Sequence, residues 1–204
     1  MKTIISILLA SATIISAFSQ AIAERSQKDG ADGMILAEYS NKVGSEVVEY
    51  NTLIDLGVMK DAEEDFKGAI ECFDQAIALN DKDPRAYDLR GVSSLKLLRY
   101  QRAYKDFERA LILNASYADA YNHRGIANYC LQRYYNAIED YTKAIDLNDK
   151  YAKAYFNRGL VYIAFEEYKL AYADLKIALD LGYFEAKEVI DKYCGGGEND
   201  FAKN

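Results

Sequence analysis

The chain has no tryptophan, one proline, one histidine and three cysteines in 204 residues. Each shortage excludes something. A single proline, Pro84, suits a chain that is helical almost throughout, because proline breaks the interior of helices and of central strands alike. A single histidine, His123, rules out a two-histidine metal centre and leaves no Cys/His cluster with zinc spacing. A serine–histidine triad has only His123 to use, and no Gly-x-Ser-x-Gly elbow accompanies it. Acidic pairs such as Glu63-Glu64 and Glu166-Glu167 sit at helix turns and read as solvated faces. We therefore expect no catalytic residue, no metal site and no cofactor. Basic residues are also short, 25 against 32 acidic ones, for a net charge of −7. Phosphate binding needs a lysine and arginine field, so nucleic acid is an unsuitable partner.

The first segment lacks charge. Met1-Lys2 is a short positive start, Thr3 to Phe18 an uncharged apolar run, and Ala21-Ile22-Ala23 a small-residue cleavage pattern. Residues 1–23 read as a secretory signal peptide, cut after Ala23, which places the mature protein in a periplasm or outside the cell. The alternative is an uncleaved membrane anchor, since Thr3 to Ala23 is long enough to span a bilayer. Cysteines are odd in number. Cys72 and Cys130 read as buried thiols, and Cys194, before three glycines, as an exposed thiol able to link two chains.

What the chain does have is a period. Gly57, Gly91, Gly125 and Gly159 stand 34 residues apart, and Ala69, Ala103, Ala137 and Ala171 keep step, as do Ala76, Ala110, Ala144 and Ala178. One unit written four times predicts a stack of helical hairpins. In the third copy helix A is expected from about Ala118 to Leu131 and helix B from about Tyr135 to Leu147. Glycine in mid-helix costs about 1 kcal/mol against alanine. Its recurrence implies that the backbones must approach closely there. An aromatic opens each helix B (Phe66, Tyr100, Tyr134, Tyr168), and a bulky residue fills its centre (Phe73, Phe107, Tyr141, Leu175). Helix B ends at Leu79, Leu113, Leu147 and Leu181, and the following Asn80, Asn114, Asn148 and Gly182 are expected to take the left-handed closing conformation. Arg90, Arg124 and Arg158 precede their glycines, while Asp106, Asp140 and Asp174 recur 15 after them; in the first copy both slots are apolar, Leu56 and Cys72. This joint change predicts an Arg–Asp pair between helices A and B of the last three copies.

These residues resemble the tetratricopeptide repeat (TPR) family. The pattern is carried by Tyr87, Gly91, Ala103, Phe107 and Ala110; by Tyr121, Gly125, Ala137, Tyr141 and Ala144; by Tyr155, Gly159, Ala171 and Ala178; and more loosely by Leu53, Leu56, Gly57, Ala69, Phe73 and Ala76. The family's usual proline after helix B is absent. The resemblance implies an all-α, right-handed solenoid of four repeats, at 50–83, 84–117, 118–151 and 152–185. Residues 24–49 read as a polar linker and N-terminal cap, with Met34-Ile35-Leu36 and Val43 covering the first repeat. Residues 186–204 read as a capping helix and tail, with Val189, Ile190 and Tyr193 turned inward.

The resemblance also implies a concave wall of A helices that binds a protein or peptide. In register that wall holds Asn51, Ile54, Asp55 and Val58; Arg85, Asp88, Val92 and Lys96; Asp119, Asn122, His123, Ile126 and Tyr129; Lys153, Phe156, Asn157, Leu160 and Ile163. An apolar stripe of Val58, Val92, Ile126 and Leu160 crosses it, flanked by polar groups. The family's carboxylate clamp for chaperone tails finds only Lys153 in place, which argues against that ligand. The expected function is an adaptor that binds a partner through this wall. The alternatives are a regulatory subunit of a cell-envelope hydrolase and a membrane-anchored scaffold.

Overall fold

The structure is a computed structural model that describes residues 31–194, with side chains from residue 42 onward. The signal segment 1–23, the start of the linker and the tail 195–204 lie outside the described residues. Among these residues there are helices and no strands: α1 Ala31–Ala62, α2 Phe66–Leu79, α3 Pro84–Lys96, α4 Tyr100–Leu113, α5 Ala118–Cys130, α6 Tyr134–Leu147, α7 Ala152–Ala164, α8 Tyr168–Asp180 and α9 Glu185–Tyr193. No helix among them is long and apolar enough to cross a membrane.

The described residues divide into two compact units, with the boundary between Asp55 and Leu56, inside α1. In the first, α1 is unbroken from Ala31 through position 50, with Tyr50 and Ile54 buried and Val43 and Val47 exposed. In the second, each helix from α2 onward packs on the next in sequence, and α5 also touches α3 and α7. The three complete A helices thus form one wall, and α9 closes the far end against α8.

The glycines explain how closely the hairpins pack. A Cβ at Gly57, Gly91 or Gly125 would meet the ring of Phe73, Phe107 or Tyr141 at 2.4, 2.5 and 2.5 Å. Each ring occupies the space that a side chain on helix A would need. The alanines of the period are fully buried in the same way.

Helix B starts on Phe66, Tyr100, Tyr134 and Tyr168, as its period requires. Helix endings differ from expectation. Asn80, Asn114 and Asn148 are extended, with φ near −144°, −144° and −147°, so they are not left-handed caps. Their side chains instead accept from the N–H two residues on, Lys82, Ser116 and Lys150, at 3.0–3.1 Å. That local bond stabilises the extended turn without a left-handed residue. Gly182 does take a positive φ, +92°.

The left-handed residues lie at the other turn, within each hairpin: Glu64, Leu98, Gln132 and Glu166, with φ of 59–63°. Each donates its N–H three residues back, and the next residue donates five back, as in Arg99 N to Ser94 O at 2.9 Å. This is the Schellman closure, usually built on glycine. A non-glycine residue there costs roughly 1–2 kcal/mol. Leu98 is 69% exposed, so its side chain contributes little packing in return. Leu98→Gly is expected to raise stability by about 1 kcal/mol, read as a higher urea midpoint at unchanged slope.

The last helix follows its expected phase except at its end. Val189 and Ile190 pack on the cluster of Ala171, Leu175, Ala178 and Ala186. Tyr193 is 45% exposed, and Cys194 takes the inward place at 1%. The chain leaves the helix at Cys194 (φ −115°), which turns the thiol inward, toward the Tyr168 carbonyl. An exposed, chain-linking Cys194 is thereby corrected. Burial also pushes the Cys194 and Cys130 thiols up, so less thiolate is available to react. Cys194 is expected to resist alkylation in the folded protein and to react at the rate of a free thiol in urea; mass spectrometry of the alkylated peptide checks this.

Candidate functional site on the wall of A helices

The wall is held by contacts within each hairpin and by a second set between successive A helices. Within hairpins, Arg90, Arg124 and Arg158 reach Asp106, Asp140 and Asp174 on helix B at 2.5, 2.6 and 2.7 Å. The pairing predicted from the joint change of these slots is present in all three copies. Burial pushes the Asp106 and Asp140 carboxyls above their ordinary range, against the pull of their arginines. These pairs therefore hold geometry more than they add stability. Arg90 also reaches back to Asp74 at 2.6 Å and Arg158 to Thr142 Oγ1 at 2.9 Å, tying each hairpin to the one before it.

Between A helices, His123 Nδ1 lies 2.9 Å from Asp88 Oδ1, and Asn157 Nδ2 donates to Asn122 Oδ1 at 2.9 Å. Both spacings are 35 residues, one period plus one. Ser93 donates to Asp61 at 2.8 Å, and Lys96 is paired with the same carboxylate and sits 5.1 Å from the Phe66 ring centroid.

These contacts sort the expected binding residues into three groups. Asp88 and Asn122 are 4% and 2% exposed, so they support the wall from within. Val92 and Ile126 pack on the Ala103/Phe107/Ala127 and Ala137/Tyr141/Val161 clusters, while Phe156 and Ile163 pack on the cluster of Ala171, Leu175 and Ala178. Half-buried Leu160 completes the inward-leaning set. What remains open is Val58, Lys96, Asp119, Tyr129 and Lys153, together with the edges of His123 and Asn157. Arg85 is exposed but held by Asp83 at 2.7 Å. In the first unit Asn51 and Asp55 are exposed and Ile54 is buried.

Two residues that the sequence reading missed belong to this surface. Tyr151 donates to Asp119 Oδ1 at 2.6 Å, and Tyr117 lies 3.4 Å from Asp88 Oδ2. Both stand 26 residues after their glycines, so the period itself was the available signal. Burial, then the neighbouring carboxylates, pushes both phenols well above their ordinary range, which leaves them neutral donors. Asp119, Tyr151, Ala152 and Lys153 line a cavity of about 360 Å³ with Leu181, Gly182 and Tyr183. Tyr129 begins a run of rings: it is 5.5 Å from Tyr134, which is 5.8 Å from Phe165, which is 5.1 Å from the exposed Tyr135. Among the described residues no group of three or more His, Cys, Asp and Glu side chains is placed to hold a metal ion.

Known proteins place this geometry. Residues 129–164 match the family model described as TPR repeat. No curated protein matches the chain in sequence. Among solved structures, the thermophilic TPR protein TTC0263 from Thermus thermophilus aligns with TM-score 0.65 and 26% identity, over 75% of this chain and 86% of its own. MamA aligns with TM-score 0.62 and 28% identity, over 81% and 96%. The second TPR domain of human RPAP3, in complex with the HSP70 peptide SGPTIEEVD, aligns with TM-score 0.55 and 25% identity, over 57% and 97%. Stacked hairpins on a 34-residue period, the match at residues 129–164 and these neighbours together identify the fold as an all-α TPR array.

Proposed function

We propose that this protein is an interaction module that binds a peptide or protein segment along its wall of A helices and performs no chemistry of its own. The observation that carries the reading is the peptide complex of the RPAP3 domain, a TPR array with a similar fold. The wall supports it with side chains of two kinds: half-buried apolar ones at Val92, Ile126 and Leu160, and open polar ones at Lys96, Asp119, Tyr129 and Lys153. Such a surface suits an extended or helical segment with a few apolar anchors and several hydrogen-bonding groups. Residues 1–23 support export, so the partner is sought in a periplasm or outside the cell.

A photo-reactive residue tests the surface. Tyr129 and Lys153 are open positions on A helices, whereas Asn122 is buried and unsuitable. Ile112, 70% exposed on α4, serves as the control on helix B. Cross-linking in cells is expected to capture a partner through Tyr129 or Lys153 and not through Ile112. Capture through Ile112 alone would overturn the choice of surface. N-terminal sequencing of the mature chain distinguishes cleavage after Ala23 from a retained anchor.

A further inference from the structure

We propose that Asp88 sets His123 as a hydrogen-bond acceptor on the wall of A helices, so that the bound segment places a lysine or arginine side chain against His123 Nε2. The inference rests on the binding reading above and names the ligand chemistry that this stretch of the wall takes. Asp88 on α3 is buried at 4%, while the His123 side chain on α5 is 26% exposed. Their 2.9 Å contact joins Asp88 Oδ1 to His123 Nδ1. A carboxylate only accepts, so Nδ1 carries the proton and donates it. A neutral imidazole has one N–H, and Nε2 is left with its lone pair. The other contact of the ring is apolar: Phe107 lies 5.6 Å away, centroid to centroid, tilted by 41°. No hydrogen bond to Nε2 is present among the described residues.

Neighbouring charges decide what kind of donor fits. Asp88 and Asp119 are two carboxylates on adjoining A helices, and the phenols of Tyr117 and Tyr151 that face them are neutral donors. The Arg85 guanidinium is held on Asp83. Lys153, which shares a cavity with Asp119 and Tyr151, is the ammonium on the next A helix. Two carboxylates against one ammonium favour an incoming cation and repel an incoming carboxylate. A lysine or arginine donor satisfies both demands, meeting the Nε2 lone pair and the negative surroundings at once. His123 is here a specificity-determining residue and Asp88 a positioning residue.

The test has two arms, both on the full chain at about pH 8. Long-range proton–nitrogen NMR of the free protein is expected to show His123 protonated on Nδ1 with Nε2 as acceptor, and Asp88→Ala, which removes the acceptor, to abolish that preference for Nδ1. Finding Nε2–H in the unsubstituted protein overturns the proposal. In the second arm, a random dodecapeptide library displayed on phage is selected against the protein. Binders are expected to be enriched in lysine and arginine over aspartate and glutamate, and to weaken about tenfold with His123→Lys. His123→Gln, which keeps an acceptor, is expected to retain the preference. Enrichment in acidic residues, or indifference to His123→Lys, overturns the proposal. Failure to select any binder while the Nδ1–H form stands overturns the named ligand together with the peptide-binding reading, leaving the tautomer assignment intact.

Discussion

Replacing Arg124 by leucine is expected to destabilise the protein by about 3 kcal/mol, whereas replacing Arg124 and Asp140 together, by leucine and cysteine, costs markedly less. The Asp140 side chain is 6% exposed and its carboxylate accepts from Arg124 at two nitrogens and from Asn128 Nδ2 at 2.9 Å. With the arginine gone, a nearly buried carboxylate keeps one amide donor and no countercharge. Removing both charges leaves only the Asn128 amide without its acceptor, a residual cost of about 1 kcal/mol. Leucine and cysteine are the residues the first copy carries in these slots, Leu56 and Cys72. Urea unfolding of the two variants makes the comparison; equal losses would mean two independent solvated charges.

The pH dependence of the single variant provides a separate check. Burial already holds the Asp140 carboxyl above its ordinary range, and loss of Arg124 removes the pull that opposes this. A carboxyl whose folded-state pKa is raised contributes stability that is full below the unfolded value of about 3.9 and is lost as pH rises through the folded value. The deficit of Arg124→Leu is therefore largest near neutral pH and shrinks as pH falls toward the unfolded value of about 3.9, because Asp140 takes up its proton above that value.

The second large effect concerns the glycines. Gly125→Ala is expected to destabilise by about 1–2 kcal/mol, although alanine is the better helix former by about 1 kcal/mol. The new Cβ would stand 2.5 Å from Tyr141 Cε1, and Tyr141 is itself 2% exposed, so the ring has no free space into which to move. Gly159 is the internal comparison. A Cβ there meets Leu175 Cγ at 2.9 Å and a backbone oxygen only at 3.4 Å, and a leucine relaxes by rotation more readily than a packed ring. Gly159→Ala is expected to cost less, and Gly125→Ala is expected to be better tolerated in a Tyr141→Leu background. Thermal unfolding of the three variants measures this; equal costs at Gly125 and Gly159 would show that the ring is not what excludes the side chain.

The sequence by itself determined the parts of this protein that repeat. A 34-residue period, a small residue opposite a large one, and an Arg–Asp correlation that fails in both slots at once are local or within-hairpin facts, and each is visible along the chain. The hairpin reappears wherever that grammar does, because burial of one stripe on another at helical spacing leaves few other arrangements. Tertiary structure decided what lies between repeats and at their ends. Asp88–His123 and Asn122–Asn157 are 35 residues apart, and such pairs depend on how far each hairpin is rotated against the last. That rotation removed two polar side chains from the surface assigned to binding and brought Tyr117 and Tyr151 onto it. Left-handed residues at Glu64, Leu98, Gln132 and Glu166 are likewise a product of packing. Their side chains disfavour that backbone, and it persists because the two helices on either side must be brought face to face within three residues.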